Sequence, residues 1–426
     1  MATIAVWGSW HLGTVSAACL AELGQSVLAT DLDPAIVSGL RAGRPPVAEP
    51  RLAELVRTHL DSGRLSIRDP DDPALGTADV VFLAGDTAVD EEDRSDLAGI
   101  ERLAERAAKG LRRPALLVVH SQVPVGTTER LAARVSSTSG SPIRATCVPE
   151  NLRLGAAVEG FLKPDRLVIG AADPSDAAAV RALFPPDCDV LYMSIRSAEM
   201  SKHALNAYLA TLVSFSSEIG DLCESLGADA YDVERALRAD RRVSPKAPMR
   251  PGFGFAGATL GRDVQSLRAL AAAQGIPSSL MDGVLAVNRR RCAQLLRRLE
   301  AELGTLDGRT IALLGLTYKP GTDTLRRSVA LEIAGALLQK GTSVRAYDPA
   351  VSRLPASACG ISLAPDAETA ARGADALIVA TEWPEFGGLD WNRIGAAMRR
   401  PLVFDLKGLL PAQQGGIELR RIGVKA

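Results

Sequence analysis

Short aliphatic and β-branched runs alternate with longer amphipathic stretches through the first part of the chain. TIAVWG, SVLATDLD, ADVVFLAG, PALLVVHS, IRATCVPE and DRLVIGA are apolar at successive positions, the pattern of strands buried on both faces. With helical periodicity between them, they predict a doubly wound parallel sheet. From Ser197 to Leu237 the chain reads as one proline-free helical pattern broken only near Gly227, and a second such pattern runs from Met281 to Leu303. Apolar faces on helices this long commonly pair subunits. Strand signals restart at GRTIALLGLTYKPGTD and continue through SVRAYDPA, ADALIVATEW and PLVFDLKG. The expected fold is α/β, with domains at 1–195, 196–304 and 305–426. Open parallel sheets bind ligands at the carboxyl ends of their strands, so a cleft between the two α/β domains is the expected site.

Composition narrows the partners. The chain has 426 residues, 47% of them hydrophobic, which suffices for more than one full core. Its formal net charge is −1, without long blocks of either sign, which argues against nucleic acid or a membrane surface as partner. Cys19, Cys147, Cys188, Cys223, Cys292 and Cys359 lie far apart and lack metal-ligand spacing. Reduced thiols and no metal are expected. There is no secretory leader pattern and no apolar run of about 18 residues, so a cytoplasmic location is expected.

The chemistry begins where the first strand ends. VWGSWHLG follows that strand and opens a helix, and Asp31 closes the second strand 23 residues after Gly8. This is the layout of a Rossmann dinucleotide turn: glycines allow close backbone approach, and the acid takes a ribose hydroxyl. Gly8, Gly13 and Asp31 sit where that layout wants them, but Trp10 stands in place of the middle glycine. An indole there obstructs a pyrophosphate unless the loop moves or the ring swings away. The residues leave two readings open, a dinucleotide site of altered geometry or a structural remnant.

PGFGFAGATLGRD, residues 251 to 263, reads as a glycine-rich loop that brings backbone against a ligand. Lys202 and Asn206, one helical turn apart, share a helix face, either a solvated polar face or a pair converging on one substrate atom. Together with GRPPVAEPRL, VPVGTTE, VPENLRLG, FLKPDRLVIG, SAEMSKHALNAYLAT, GLTYKPGTDTLRRS, RAYDP and TEWPEF, in that order, the chain resembles the UDP-glucose/GDP-mannose dehydrogenase family over essentially its whole length.

The resemblance implies two Rossmann-like domains joined by a dimer-forming helical region. It also implies oxidation of the C6 alcohol of a nucleotide-linked sugar by NAD, through an aldehyde held as a thiohemiacetal on cysteine. By the same resemblance Lys202 and Asn206 stabilise the developing oxyanion, Asp263 works with a water as base, and Glu150 matches a family glutamate. Gly8, Trp10, Gly13, Asp31, Thr87, Gln122 and Arg326 fall on the cofactor side. Leu152, Arg242, Phe253, Gly254, Gly257 and Lys319 fall on the substrate side, with Arg242 either reaching the partner subunit's sugar or forming a surface ion pair.

Several positions depart from the family's pattern. Thr259 replaces the nucleophilic cysteine, and its hydroxyl stays protonated without a dedicated base. Leu154 replaces a second glutamate, Ala256 a glycine, Gly261 a proline and Arg262 a lysine, while Asp86 adds negative charge near the cofactor phosphates. The expected function is hydride transfer between C6 of a UDP-sugar and NAD without the thiohemiacetal step. The alternatives are a non-redox nucleotide-sugar-binding protein and a full oxidation using a displaced cysteine, Cys188 or Cys223. The expected partners are the small-molecule nucleotide sugar and a second copy of the chain.

Overall fold

The computed structural model describes residues 2–89, 95–255, 259–325 and 328–425. It divides into two compact units, Met1–Ala204 and Leu205–Ala426.

The first unit is built on eight strands: β1 (Thr3–Trp7), β2 (Ser26–Thr30), β3 (Leu65–Ile67), β4 (Val80–Leu83), β7 (Leu116–Val119), β8 (Arg144–Cys147), β9 (Leu167–Ala171) and β10 (Val190–Met193). A separate two-stranded hairpin, β5 (Ala88–Val89) and β6 (Ser95–Asp96), follows β4. The sheet order is β10-β9-β8-β7-β4-β1-β2-β3. Along β1, Ile4 and Val6 enter one core while Ala5 and Trp7 enter the core on the opposite face. That division explains the continuous apolar runs, because a strand covered on both sides has no polar face. The sheet departs from the wholly parallel arrangement at one place: β8 and β9 pair antiparallel, and β10 runs with β9. Continuous apolarity carries no information on strand direction, and a reversed edge on a parallel sheet is a common variant.

The second unit carries six parallel strands, β11 (Thr310–Leu314), β12 (Ser343–Tyr347), β13 (Ile361–Leu363), β14 (Ala376–Val379), β15 (Leu402–Asp405) and β16 (Glu418–Arg421), in the order β13-β12-β11-β14-β15-β16. Here too the central strand divides its residues, Ile311 and Leu313 to one core and Ala312 and Leu314 to the other.

The helix Ile195–Leu226 runs on from the first unit into the second. It ends at Gly227, whose φ of 75° is the left-handed conformation that stops a helix. Asp229 then accepts the Tyr231 amide and starts the helix Ala230–Ala239. The helix Leu260–Ala273 corrects the reading of 251–263 as loop throughout, since Leu260, Gly261, Arg262 and Asp263 form its first turn. The amphipathic run LGRDVQSLRALAAA continues directly from them, and an acid in the first turn suits a helix N-terminus. Among the described residues no helix is long and apolar enough to cross a membrane, and no group of three or more His, Cys, Asp or Glu is placed to hold a metal. All six cysteines are free thiols.

Candidate active site

The turn after β1 has the conformation a dinucleotide requires. Gly8 has φ of 90°, and a Cβ there would lie 2.7 Å from the Cα of Gly85. A Cβ on Gly13 would lie 1.6 Å from the Gly8 carbonyl oxygen, so both positions demand glycine. At the end of β2, the Asp31 carboxylate accepts the Ser9 amide at 2.6 Å and the Asp33 amide at 2.9 Å, which aims it at the turn. Trp10 occupies the N-cap position of the helix His11–Glu22 and is 45% exposed, so its ring does not fill the core beneath the turn. These residues fit an NAD-type cofactor.

Asp86 stands against that fit. It follows Gly85 just past β4, and its carboxylate accepts the Leu12 amide at 3.3 Å, with the His11 amide facing it as well. These are first-turn donors of the kind a pyrophosphate takes. Protein crowded around Asp86 pushes its carboxyl up to about 6, against the pull of His11 and the two amides and with Glu150 adding to the rise. Its side chain nonetheless reaches solvent. Thr87 donates its hydroxyl to the Gln122 carbonyl at 2.7 Å, and Gln122 is itself buried. Arg326 lies outside the described residues.

Lys202, only 8% exposed, projects from the helix Ile195–Leu226. Its ammonium donates to Asn151 Oδ1 at 3.1 Å and lies 3.7 Å from Glu150. The other Glu150 oxygen accepts the Leu152 amide at 2.8 Å, so the structure brings Glu150, Leu152 and Lys202 together. Asn151 was missed; its place beside Glu150 in VPENLRLG was the available signal. One turn before Lys202, Glu199 accepts the Gly126 and Thr128 amides at 2.6 and 2.7 Å, tying the start of the helix Thr127–Ser139 to the lysine's helix. Cys147 lines the same small crevice as Lys202 and Gln122. It is buried, and burial together with Glu199 pushes its thiol well above the usual range. Cys188 points its thiol at the Pro185 carbonyl, and Cys223 is buried.

Glu49 was also missed. Its buried carboxylate accepts the Gly155 and Ala157 amides at 3.0 and 2.8 Å and pairs with His11 Nε2 at 3.0 Å, which fixes the segment after Leu154 to the dinucleotide turn.

In the second unit, the Asn206 side-chain amide donates to Asp263 Oδ2, and Asp263 has no exposed surface. Arg262 Nε lies 3.7 Å from the other carboxylate oxygen. Thr259 is exposed at the N-cap of the helix Leu260–Ala273, and its carbonyl accepts the Asp263 amide at 3.2 Å. Gly254 has φ of 90°, and a Cβ there would lie 2.3 Å from Asn288 Oδ1. Asn288, unanticipated, clamps the Phe255 amide and carbonyl at 2.8 and 3.1 Å and so shapes the glycine-rich segment. The Phe253 side chain is packed into the second unit's core. Arg242 is exposed and paired with Asp240 at 2.7 Å, and Lys319 is half-buried. Ala256 and Gly257 lie outside the described residues. At the end of β12 the buried Asp348 accepts the Leu316 and Thr317 amides at 2.7 and 2.9 Å, as Asp31 does in the first sheet.

A dinucleotide turn on one doubly wound sheet, and a second such sheet beyond long helices, place the chain in the class of two-domain nucleotide-binding dehydrogenases. Residues 2–186 match the NAD binding domain of the UDP-glucose/GDP-mannose dehydrogenase family, residues 196–290 its central domain and residues 312–412 its UDP binding domain. The chain belongs to this family. It is 37% identical over 423 residues to a UDP-glucose 6-dehydrogenase of Pseudomonas aeruginosa, covering 95% of this chain and 93% of that protein. It is 36% identical over 417 residues to the UDP-glucose 6-dehydrogenase of Rhizobium meliloti, covering 95% of each. A UDP-glucose dehydrogenase structure from Pyrobaculum islandicum matches with a TM-score of 0.91 at 34% identity, covering 100% of this chain and 98% of that one. The matching NAD binding domain gives NAD as the cofactor.

Proposed function

We propose that this protein oxidises C6 of a UDP-sugar by a single hydride transfer and does not proceed through a covalent sulfur intermediate. NAD, when bound, supplies the hydride acceptor. Lys202, steadied by Asn151 and Glu150, brings a desolvated positive charge to the substrate oxygen, where it favours the alkoxide over the alcohol. Asn206, one turn along the same helix, supplies a neutral donor whose amide is oriented by Asp263. Asp263 receives the hydroxyl proton by way of a water. On the protein's side the hydroxyl O–H bond breaks with its proton passing by way of the water to Asp263; with NAD bound, the C6 hydride would pass to it and the sugar would leave as an aldehyde.

The observation that carries this reading is the buried Asn206–Asp263 pair, in the first turn of a helix whose N-cap is threonine at position 259 and not cysteine. A threonine hydroxyl does not capture the aldehyde as a cysteine thiolate does, and Cys147, in the crevice with Lys202, is held protonated. The test is NADH stoichiometry across a panel of UDP-sugars. The unmodified protein yields at most one NADH per sugar and an aldehyde; Thr259→Cys, with its thiol at a helix N-terminus that favours thiolate, moves the yield toward two and produces carboxylate. Uronic acid formed at ordinary turnover by the unmodified chain overturns the reading.

Asp86 at the Leu12 amide favours a second reading, a nucleotide-sugar-binding protein without redox turnover. Binding of UDP-sugars with no NADH from any of them would select it. Tyr208, Phe215, Leu222 and Leu226, all exposed on the helix Ile195–Leu226, support assembly as a homodimer.

A further inference from the structure

We propose that Asp86 is a built-in competitor for the pyrophosphate of NAD, so that the cofactor binds only as Asp86 is protonated or turned away. The inference rests on NAD being this fold's cofactor and adds a condition on how it enters.

The Asp86 carboxylate already holds the Leu12 amide, 3.3 Å away, and faces that of His11. A helix N-terminus offers these donors and its partial positive charge to one anion at a time. A second anion arriving at the same turn meets a charge a few ångströms away in a partly desolvated site, where repulsion is much larger than in bulk water. The backbone of Asp86 has little room to retreat. Gly85 packs so tightly against Gly8 that a Cβ on Gly8 would lie 2.7 Å from the Gly85 Cα, and a Cβ on Gly85 itself would lie 2.6 Å from Leu103. The side chain is open to solvent, so it can change its proton or its rotamer although its backbone is fixed.

The neighbouring charges do not remove the conflict. His11 stands beside the turn, but its Nε2 is taken by the Glu49 carboxylate. Glu150, on the other side, is a further acid acting on Asp86. With its carboxyl pushed up to about 6, Asp86 is charged at neutral pH and neutral in mild acid. If NAD binds the form with Asp86 neutral, affinity rises as pH falls toward 6, by up to about tenfold per pH unit above that value.

The test is calorimetric titration of the full-length protein and Asp86→Asn with NAD between pH 5.5 and pH 8.5, in two buffers of different ionisation enthalpy. Titration with a UDP-sugar serves as the folding control. The expected result is that Asp86→Asn binds NAD at least tenfold more tightly at pH 8. The unmodified protein takes up a proton on binding and tightens in acid, and the variant does neither. Equal NAD affinity in the two proteins overturns the role of Asp86 and leaves NAD as cofactor intact. A pH slope that persists in Asp86→Asn shows that another group sets it and also overturns the proposal. If neither protein binds NAD while both bind a UDP-sugar, the cofactor assignment itself fails.

Discussion

The side-chain amide of Asn206 donates to the carboxylate of Asp263, a group with no exposed surface. The two residues lie 57 positions apart, one on a long helix and the other in the first turn of the helix Leu260–Ala273. Removing one partner leaves the other buried with a lost hydrogen bond, at a cost of about 1–3 kcal/mol. Asn206→Ala and Asp263→Ala are each expected to lower the thermal unfolding midpoint. The double variant is expected to be less destabilised than the sum of the two, with a coupling of about 1 kcal/mol or more. Additive losses would show that the pair is not coupled.

Glu49 carries a prediction about order in the first unit. Its carboxylate accepts two loop amides and pairs with His11, and hydrogen bonds to a charged acceptor are worth about 1.5–3 kcal/mol each. Glu49→Ala is expected to destabilise the unit by about 3 kcal/mol and to expose the segment around Gly155 to limited proteolysis. Glu49→Gln, which retains one acceptor oxygen, is expected to fall between that variant and the unmodified chain. Thermal unfolding and a protease time course check both.

His120 predicts how stability depends on pH. It is buried among Phe82, Phe161 and Phe184, its Nδ1 lies 2.6 Å from the Val148 carbonyl, and its Nε2 has no hydrogen-bond partner among the described residues. Burial, the largest influence, lowers its pKa from 6.5 to about 4. Between those values the unfolded chain binds the proton and the folded chain does not, so stability falls as pH drops through that window. The slope is about 1.4 kcal/mol per pH unit. Denaturant unfolding at a series of pH values is expected to show this slope, and His120→Gln to remove it.

The helix Ile195–Leu226 predicts association. Tyr208, Phe215 and Leu222 recur every seventh residue and are 60%, 45% and 55% exposed, and Leu226 extends the apolar stripe at 81%. A patch of this kind on a surface helix marks an interface more often than a solvated face. The unmodified chain is expected to sediment as a dimer, and Phe215→Glu with Leu222→Glu to sediment as a monomer. A monomer for both would remove the stripe's assigned role.

Much of the architecture was legible in the sequence because both units rest on a local signal. Apolar runs such as TIAVWG and TIALLG announce strands covered on two faces, and Gly227 announces the break after the long helix. The strands β3, β10, β13 and β16 escaped because they are the edge strands of their sheets, where partly exposed positions thin the apolar signal. The candidate site was legible where spacing along one element fixes the geometry, as for Lys202 and Asn206. It was not legible where a contact joins distant segments: Asp86 and Leu12 are 74 residues apart, and Glu49 and Ala157 are 108.

The sequence by itself determined the two doubly wound sheets, the glycine turn after β1 with Trp10 in it, and the hydroxyl at position 259, since each follows from residue identity and short-range periodicity. Only the tertiary structure decided that β9 and β10 run against the rest of their sheet, that Asp263 is buried against Asn206, and that the Asp86 carboxylate takes the Leu12 amide. The physical reason is common to all three. Strand direction, burial and hydrogen-bond partnership are relations between segments far apart in the chain, and they are set when packing closes those segments together.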